Sequence, residues 1–520
     1  MADIGRVELS RRQLLKAGAL VAVGLSGAAT SCATVPAKPD PGAPQQRGGV
    51  FTHGATGGGL KDTLDPHFPV TVPDIARVNN LYEPLFRYDE KYQVQPLLAE
   101  SFEPSKDATA WTLRLRKDVV FHHGKPLRAE DVIATFQRVM DPDNPAPPAS
   151  DLGMIDLKNT RALDPFTVRF SLTEPYALLT DLFAAYALGI IPTDFDLAKP
   201  VGTGPFRYAD FVPGQQSRFL RFADYAGEPA WVDELIVYDF SDDAAKVNAL
   251  LAGQVQSVDN LPAYLVDSLA DQGASPLISE TGAWTPFTMR VDAKPYSDVR
   301  VRQALRLIVD RQQMIDQALS GYGNLANDLY APFDEAYAAH LPQREQDVDQ
   351  AKSLLKAAGH TGLQVELTTS SAVGAGAVES ANVFAEQARP AGVDVRVVKA
   401  DPNTFYGDSY LTWPFAQDFW FTRKYLPQVA ASSLPTSPYN ETHFDDAEFQ
   451  QLIKQARGEL DRARRNELLH AAQEIEYERG GFIIWGFKKQ VDAYSNVVQG
   501  FVPDRTLPMS SFQFKRVSLS

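Results

Sequence analysis

The sequence predicts an α/β protein of several domains. Helical and strand periods alternate along much of the chain. "VDQAKSLLKAAGH" runs into "LQVELTTSS", and "ESANVFAEQARPAGVDVRVVKA" repeats the helix-then-strand order. The length is 520 residues, and at roughly 100–200 residues per domain that implies about three domains or lobes. Hydrophobic residues make up 44% and charged residues 22%, a globular balance that supports a large core without disulfides or metals.

Charge and cysteine content remove some function classes. The net charge of −15 argues against a phosphate-binding surface, and so against nucleic acid as a partner. The single cysteine, Cys32, makes no internal disulfide and no Cys-rich zinc site.

The elements follow in order. Residues 10–16 read "SRRQLLK", and an apolar run from Ala17 to Thr30 follows. That run is shorter than the roughly 20 residues a bilayer span needs. A basic start, a short apolar stretch and small residues after it form a signal peptide. Arg11 and Arg12 resemble a twin-arginine export signal, with Leu14 where Phe is usual. Cys32 ends "AATSC", which resembles a lipobox with Ala29 in the Leu position, so the exported protein is expected to be anchored by a lipid on Cys32 to the outer side of the cytoplasmic membrane or, where this is an ordinary cleavage site, to be periplasmic. The Pro-, Gly- and Ala-rich residues 33–47 read as a flexible tether.

In the mature chain, "AWTLRL" alternates Trp111, Leu113 and Leu115 with Thr112, Arg114 and Arg116, the period of a half-buried strand. "AEDVIATFQRVM" places Val132, Ile133, Phe136, Val139 and Met140 at helical spacing, with Glu130 and Asp131 in the first turn. "DPFTVRFSL" is another strand and "VGTGPFRY" a glycine turn. "SDVRVRQALRLIVDRQQMIDQALSG" predicts one continuous helix with Val301, Leu305, Ile308, Ile315 and Leu319 on one face. The segment from Phe444 to Gly481 is mostly helical in pattern.

Taken together, "TLDPH", "YEPLFRYD", "QPLLAESFEPSKDATAWTLRLRKDVVFHHGKPLRAEDVIATFQRV", "VGTGPFRY", "VRVRQALRLIVDRQQMI" and "FIIWGFKKQVDAY" stand in an order that resembles family 5 of the extracellular solute-binding proteins. That family includes the dipeptide- and oligopeptide-binding proteins of ABC importers. The resemblance covers about residues 48 to 515. It implies a two-lobed clamshell with mixed sheets flanked by helices. Lobe I would comprise residues 48–85, 196–282 and 488–520, with an inserted subdomain at 86–195, and lobe II would comprise 283–487. It further implies capture of a peptide-like or other small solute by hinge closure and delivery to ABC permease subunits. A monomer without cofactor or bound metal is expected. A sensing or chaperone-like binding lipoprotein is the alternative within the same fold.

The resemblance also explains "FHHGKPLRAEDV". His123 and Gly124 occupy a tight turn, where His tolerates positive φ better than most residues. Neighbouring histidines on a strand point apart, which is poor geometry for one metal. Arg128 takes the position of the usual Ser/Thr helix cap, which predicts a weaker cap.

Site residues are implied by the same resemblance. The family segment G-W-x-x-D-Y-x-x-P carries an aspartate that meets a peptide's α-ammonium. Counted from Trp420 without a gap, that position falls on Arg423. A cation there repels an ammonium and favours carboxylate or phosphate. The solute is then acidic, or sugar-like and stacked on Trp284, Trp413 and Trp420. In the other reading Arg423 points to solvent or pairs with Asp418. Tyr82 and Glu83 of "YEPL", Trp284 at one hinge crossing, Phe487 at the other, and Asn440 of "PYNETHF" are further candidates. An exported hydrolase finds little support. "HGATGGG" lacks a P-loop lysine, and neither G-x-S-x-G outside the signal segment nor H-E-x-x-H occurs. Asp242/Asp243 and Asp445/Asp446 sit at helix starts, where capping suffices.

Overall fold

The strand Val50–Thr56 lies in the interior of an eight-stranded sheet, paired in parallel with Glu234–Phe240 on one side and Ser257–Val258 on the other. The computed structural model describes residues 46–520. The signal peptide, Arg11, Arg12, Cys32 and nearly all of the tether lie outside the described residues. Across the sheet the order is Ala274–Trp284, Gly486–Ser495, Ser257–Val258, Val50–Thr56, Glu234–Phe240, Gln216–Arg221, Phe206–Val212, with Gly323–Leu325 also bonded to Gly486–Ser495. Phe51, Phe206, Phe219, Leu235 and Val237 bury their side chains in its core. Arg77, on the helix Val72–Leu81, is wholly enclosed beside this sheet. It pairs with Asp74 at 3.1 Å, with Asp62 at 3.3 Å and with Asp239, and its Nε donates to Ser217 Oγ at 3.0 Å.

A four-stranded antiparallel sheet forms a second body, in the order Ala99–Pro104, Ala110–Leu115, Thr167–Ser171, Arg161–Asp164. The period of two is realised: Trp111, Leu113 and Leu115 are buried and Arg114 is exposed. The helix Ala129–Val139 lays Val132, Phe136 and Val139 on this layer, while Ile133 and Met140 are only partly covered. Phe136, Phe170 and Phe183 meet with ring centroids 4.8–5.0 Å apart.

The His-His-Gly turn differs from expectation in one respect. Gly124 alone takes positive φ, at +86°, and His123 does not need to. Its amide donates to Phe121 O at 2.7 Å. His122 Nδ1 accepts from Gly202 N at 3.2 Å, so the proton sits on Nε2 and is donated to Gly204 O at 3.0 Å. Burial holds this imidazole down to about 4, and it stays neutral. His123 points the other way, toward Asp194 at 3.6 Å. Arg128 makes no side-chain cap bond. The carboxylate of Asp131 instead accepts from the Arg128 amide at 2.9 Å.

A third body is built on a five-stranded sheet, in the order Val393–Lys399, Leu363–Thr369, Phe415–Gln417, Phe287–Met289, Phe482–Ile483. The single helix predicted from Val299 is two helices, Val299–Leu307 and Arg311–Ala318. The break is local chemistry. Asp310 caps the second helix by accepting from Gln313 N at 2.9 Å, which an uninterrupted helix forbids.

One prediction concerns Arg77. Arg77→Leu leaves Asp62, Asp74 and Asp239 without their shared cation. Breaking a buried ion cluster from one side costs about 3–5 kcal/mol. The thermal unfolding midpoint of the variant is expected to fall by several degrees. An unchanged midpoint would show that the cluster contributes nothing net.

Candidate functional site

Two chain crossings join the large sheet to the body of the five-stranded sheet, and the candidate site lies around them. The strand Ala274–Trp284 pairs antiparallel with Gly486–Ser495, and the register shifts between Glu280 and Trp284. Trp284 then stands opposite Phe487. Its backbone also bridges to Trp420: Trp284 N donates to Trp420 O at 3.0 Å, and Trp420 N donates back at 2.9 Å. The Trp284 ring stacks on Tyr330 at 5.6 Å and on Trp420 at 6.1 Å. Beneath this stack, Glu476 accepts from the phenols of Tyr330 and Tyr425, each at 2.6 Å. Burial pushes the Glu476 carboxyl up to about 7, against the pull of those two hydroxyls.

The expected site residues divide into three groups. Trp284, Trp420 and Phe487 pack in one aromatic cluster with Arg423 at its edge. Trp284 is 1% exposed and Phe487 3%, so both serve here as core and offer no open face for stacking a sugar. Trp413 stands apart, stacked on Phe405 at 6.1 Å and bonded through Nε1 to Phe405 O at 3.3 Å. Asn440 is buried, donating to Leu434 O and Phe444 O at 3.1 Å each. It holds a turn.

Tyr82 and Glu83 lie elsewhere. Tyr82 donates to Leu64 O at 3.0 Å, and Glu83 accepts from Tyr225 at 2.5 Å and from Thr203 at 3.0 Å. The "YEPL" and "VGTG" segments lock together. A Cβ on Gly202 would stand 2.0 Å from Leu81 O, so only glycine allows this approach. Burial raises the Glu83 carboxyl above the ordinary carboxylate range.

Arg423 does not pair with Asp418. Its guanidinium reaches Asp151 of the four-stranded body at 3.9 Å and lies 6.0 Å from the Trp420 ring. Asp418 instead accepts from Tyr406 and Tyr410, each at 2.8 Å, and from Phe419 N at 2.8 Å.

The four-stranded body meets the third body near Arg423. Tyr88 and Tyr92 stack at 4.2 Å, the Lys424 ammonium sits 5.1 Å from the Tyr92 ring, and Tyr92 donates to Thr422 O at 3.2 Å. Ala177 N donates to Arg457 O at 2.6 Å. Asp181 is drawn into this seam. Burial pushes its carboxyl up to about 7, Lys424 opposes the shift, and Asp334 and Glu335 add to it.

Sequence reasoning missed Glu441 and Asp418, which face one small cavity with Trp413 and Tyr410. Asp418 entered only as a partner for Arg423, and Glu441 stood unremarked beside Asn440. Among the described residues, no three His, Cys, Asp or Glu side chains gather to hold a metal ion. No helix among them is long and apolar enough to cross a membrane.

The family model described as "Bacterial extracellular solute-binding proteins, family 5 Middle" matches residues 93–449. The chain belongs to family 5 of the bacterial extracellular solute-binding proteins. It is 26% identical over 491 residues to the glutathione-binding protein GsiB of Shigella flexneri, covering 88% of this chain and 92% of that one. Its fold matches the periplasmic binding protein DppA of Helicobacter pylori in complex with the peptide STSA, with a TM-score of 0.73 at 23% identity, covering 91% and 98% of the two chains. It also matches the oligopeptide-binding protein AppA of Bacillus subtilis in complex with a nonapeptide, with a TM-score of 0.72 at 20% identity, covering 92% and 100%. The architecture is thus the two-lobed α/β clamshell of periplasmic binding proteins. The first lobe is built on the eight-stranded sheet and the second on the five-stranded sheet. The family is one of binding proteins.

A pH dependence of closure follows from Asp181. Burial in the seam is the first cause of its raised value, and Asp334 and Glu335 add to it while Lys424 opposes it. Where opening of the seam returns Asp181 to water, the closed form binds a proton there more tightly than the open form. The closed form gains stability as pH falls through about 7 and gains no more below the ordinary value. Small-angle scattering between pH 8 and pH 5 is expected to show a shift toward the compact form as pH falls, and Asp181→Asn should flatten it. A shift of the same size in the variant would assign it to other groups.

Proposed function

We propose that this chain captures a small organic solute between its two lobes, outside the cytoplasm, and delivers it to the membrane permease of an ABC importer. The observation that carries this reading is the hinge. Among the described residues two crossings, marked by Trp284 and Phe487 and bonded to each other, join the lobes, and the first lobe's inserted body meets the second lobe through polar contacts at Arg423 and Tyr92 and apolar ones at Leu178 and Leu460. Such an arrangement opens and closes, and a ligand touching both lobes favours the closed form. The family membership and the ligands of the relatives, glutathione and short peptides, support a peptide-like solute.

Arg423 gives that solute a sign. It occupies the position where peptide binders of the family carry an ammonium-binding aspartate, and its one carboxylate neighbour is Asp151 at 3.9 Å. In this reading it meets a carboxylate or phosphate of the solute. Arg11 and Arg12 direct export, and Cys32 carries the lipid that tethers the mature protein. Mass spectrometry of the mature N-terminus tests this last point: a diacylglycerol adduct on Cys32 supports it, and an unmodified end rejects it.

Native mass spectrometry of the protein purified without denaturation, against a refolded control, tests the capture reading. An excess mass on the undenatured protein is expected, and an acidic solute is expected to lose about tenfold or more in affinity in Arg423→Asp. A solute bound equally well by that variant would remove Arg423 from the site.

A further inference from the structure

One carboxylate of the second lobe has no counter-group. Glu441 is 5% exposed, and neither of its oxygens receives a hydrogen bond. The nearby indole Nε1 of Trp420 is buried and finds no acceptor. Glu441 lines a small cavity, with Asp418, Tyr410, Trp413 and Phe405 among its walls. The Asp418 oxygens are already engaged by the hydroxyls of Tyr406 and Tyr410 and by Phe419 N. They have no donor left for Glu441. Burial first, and then the Asp418 charge beside it, drive the Glu441 carboxyl far above the ordinary range. Two carboxylates share an aromatic enclosure that holds no cation of the chain.

That is a costly arrangement to keep unless something is bound there. A buried carboxylate without donors loses its hydration for no return. The chemistry of the walls narrows the occupant. With two carboxylates and no third ligand of that kind among the described residues, a divalent metal is poorly served. The free space is room for about one water-sized group. A primary ammonium has that size and three donors, while a guanidinium or quaternary ammonium is larger. Trp413, Tyr410 and Phe405 give the cavity an aromatic wall, the kind of lining that favours a cation.

We propose that this cavity is the subsite for a primary ammonium group of the captured solute, with Glu441 accepting its hydrogen bonds and Asp418 and Trp413 completing the enclosure. The proposal rests on the solute-capture reading and sharpens it. The chain that removes the acid at position 423 supplies acid at 418 and 441, on either side of Trp420 in the sequence. A solute with an ammonium at one end and an anionic group toward Arg423 fits both.

The test uses the purified protein and three probes at equal ionic strength: n-butylammonium, tetramethylammonium and sodium chlorides. Butylammonium alone is expected to raise the melting temperature and to perturb tryptophan fluorescence. Glu441→Gln should fold as well as the wild type, because it keeps the size and shape of the side chain, and should bind butylammonium about tenfold more weakly or not at all. Trp413→Leu should weaken binding and keep the preference for butylammonium over tetramethylammonium. Equal responses of the wild type to butylammonium and sodium would overturn the proposal, leaving a proton shared by Glu441 and Asp418 in place of a ligand. So would an undiminished butylammonium response in Glu441→Gln. The capture reading fails separately. A native solute held equally by wild type and Glu441→Gln overturns the subsite alone. A Glu441-dependent butylammonium response on a protein that never carries a solute upholds the subsite and overturns capture.

Discussion

The two crossings between the lobes are bonded to each other, and the rest of the structure is arranged around that fact. Ala274–Trp284 and Gly486–Ser495 form a continuous antiparallel ribbon from Ala274 opposite Ser495 to Glu280 opposite Lys489. A ribbon of this kind resists shear, because sliding one strand breaks the whole ladder, but it bends where the ladder is interrupted. The interruption falls between Glu280 and Trp284. Gly282 lies inside it, with its amide bonded to Thr422 Oγ1 at 2.9 Å. Past the bulge, Trp284 is clamped by Tyr330, Trp420 and Phe482. The interruption in the ladder is thereby confined to a few residues, which is where a hinge of this kind would bend.

That body owes its rigidity to buried cations aimed at carbonyl oxygens. Arg306, fully enclosed, donates to Phe482 O at 2.9 Å, Tyr477 O at 2.8 Å and Gly480 O at 2.9 Å. Arg302 reaches Gly480 O at 3.1 Å and Arg479 O at 2.6 Å. These bonds satisfy carbonyls at the end of the long helix Arg462–Arg479, where positive charge is favoured, and deliver the chain directly into the strand Phe482–Ile483. The second crossing begins three residues later. Burial lowers the Arg306 guanidinium to about 9, which still leaves it charged at neutral pH.

Local periodicity made part of this readable in advance. The strand at Trp111, Leu113 and Leu115 and the helix carrying Val132, Phe136 and Val139 follow from spacing alone, because each buries one face against a nearby layer. The break at Asp310 was less visible, since the apolar spacing continues through it and only the capping chemistry of one aspartate interrupts the helix. Tyr82 and Glu83 were expected to line a cleft, whereas both are spent on contacts with Leu64, Thr203 and Tyr225, far off in the chain. Nothing local announces such partners. Glu441 and Asp418 come together for the same reason: 22 residues and a helix lie between them, and only the folded turn held by Asn440 brings Glu441 to the cavity that Asp418 lines.

The seam between the inserted body and the second lobe is partly polar, and this bears on how tightly the clamshell shuts. The pair Arg423–Asp151 stands at 3.9 Å with both side chains about a third exposed, a geometry worth at most about 1 kcal/mol. Lys424 attracts Asp181, but the desolvation that raises Asp181 works against the same contact. Beside these stand a phenol-to-carbonyl bond from Tyr92, a backbone bond at Ala177, the Arg457–Glu174 pair at 3.8 Å, the Lys424 ammonium over two tyrosines, and the packing of Leu178 and Leu460 against the opposite cores. On the proposed capture reading, a solute that meets Glu441 on one lobe and reaches across to the other adds contacts that only the closed form makes, and its affinity for that form, set against the seam's own contacts, decides how far the population shifts.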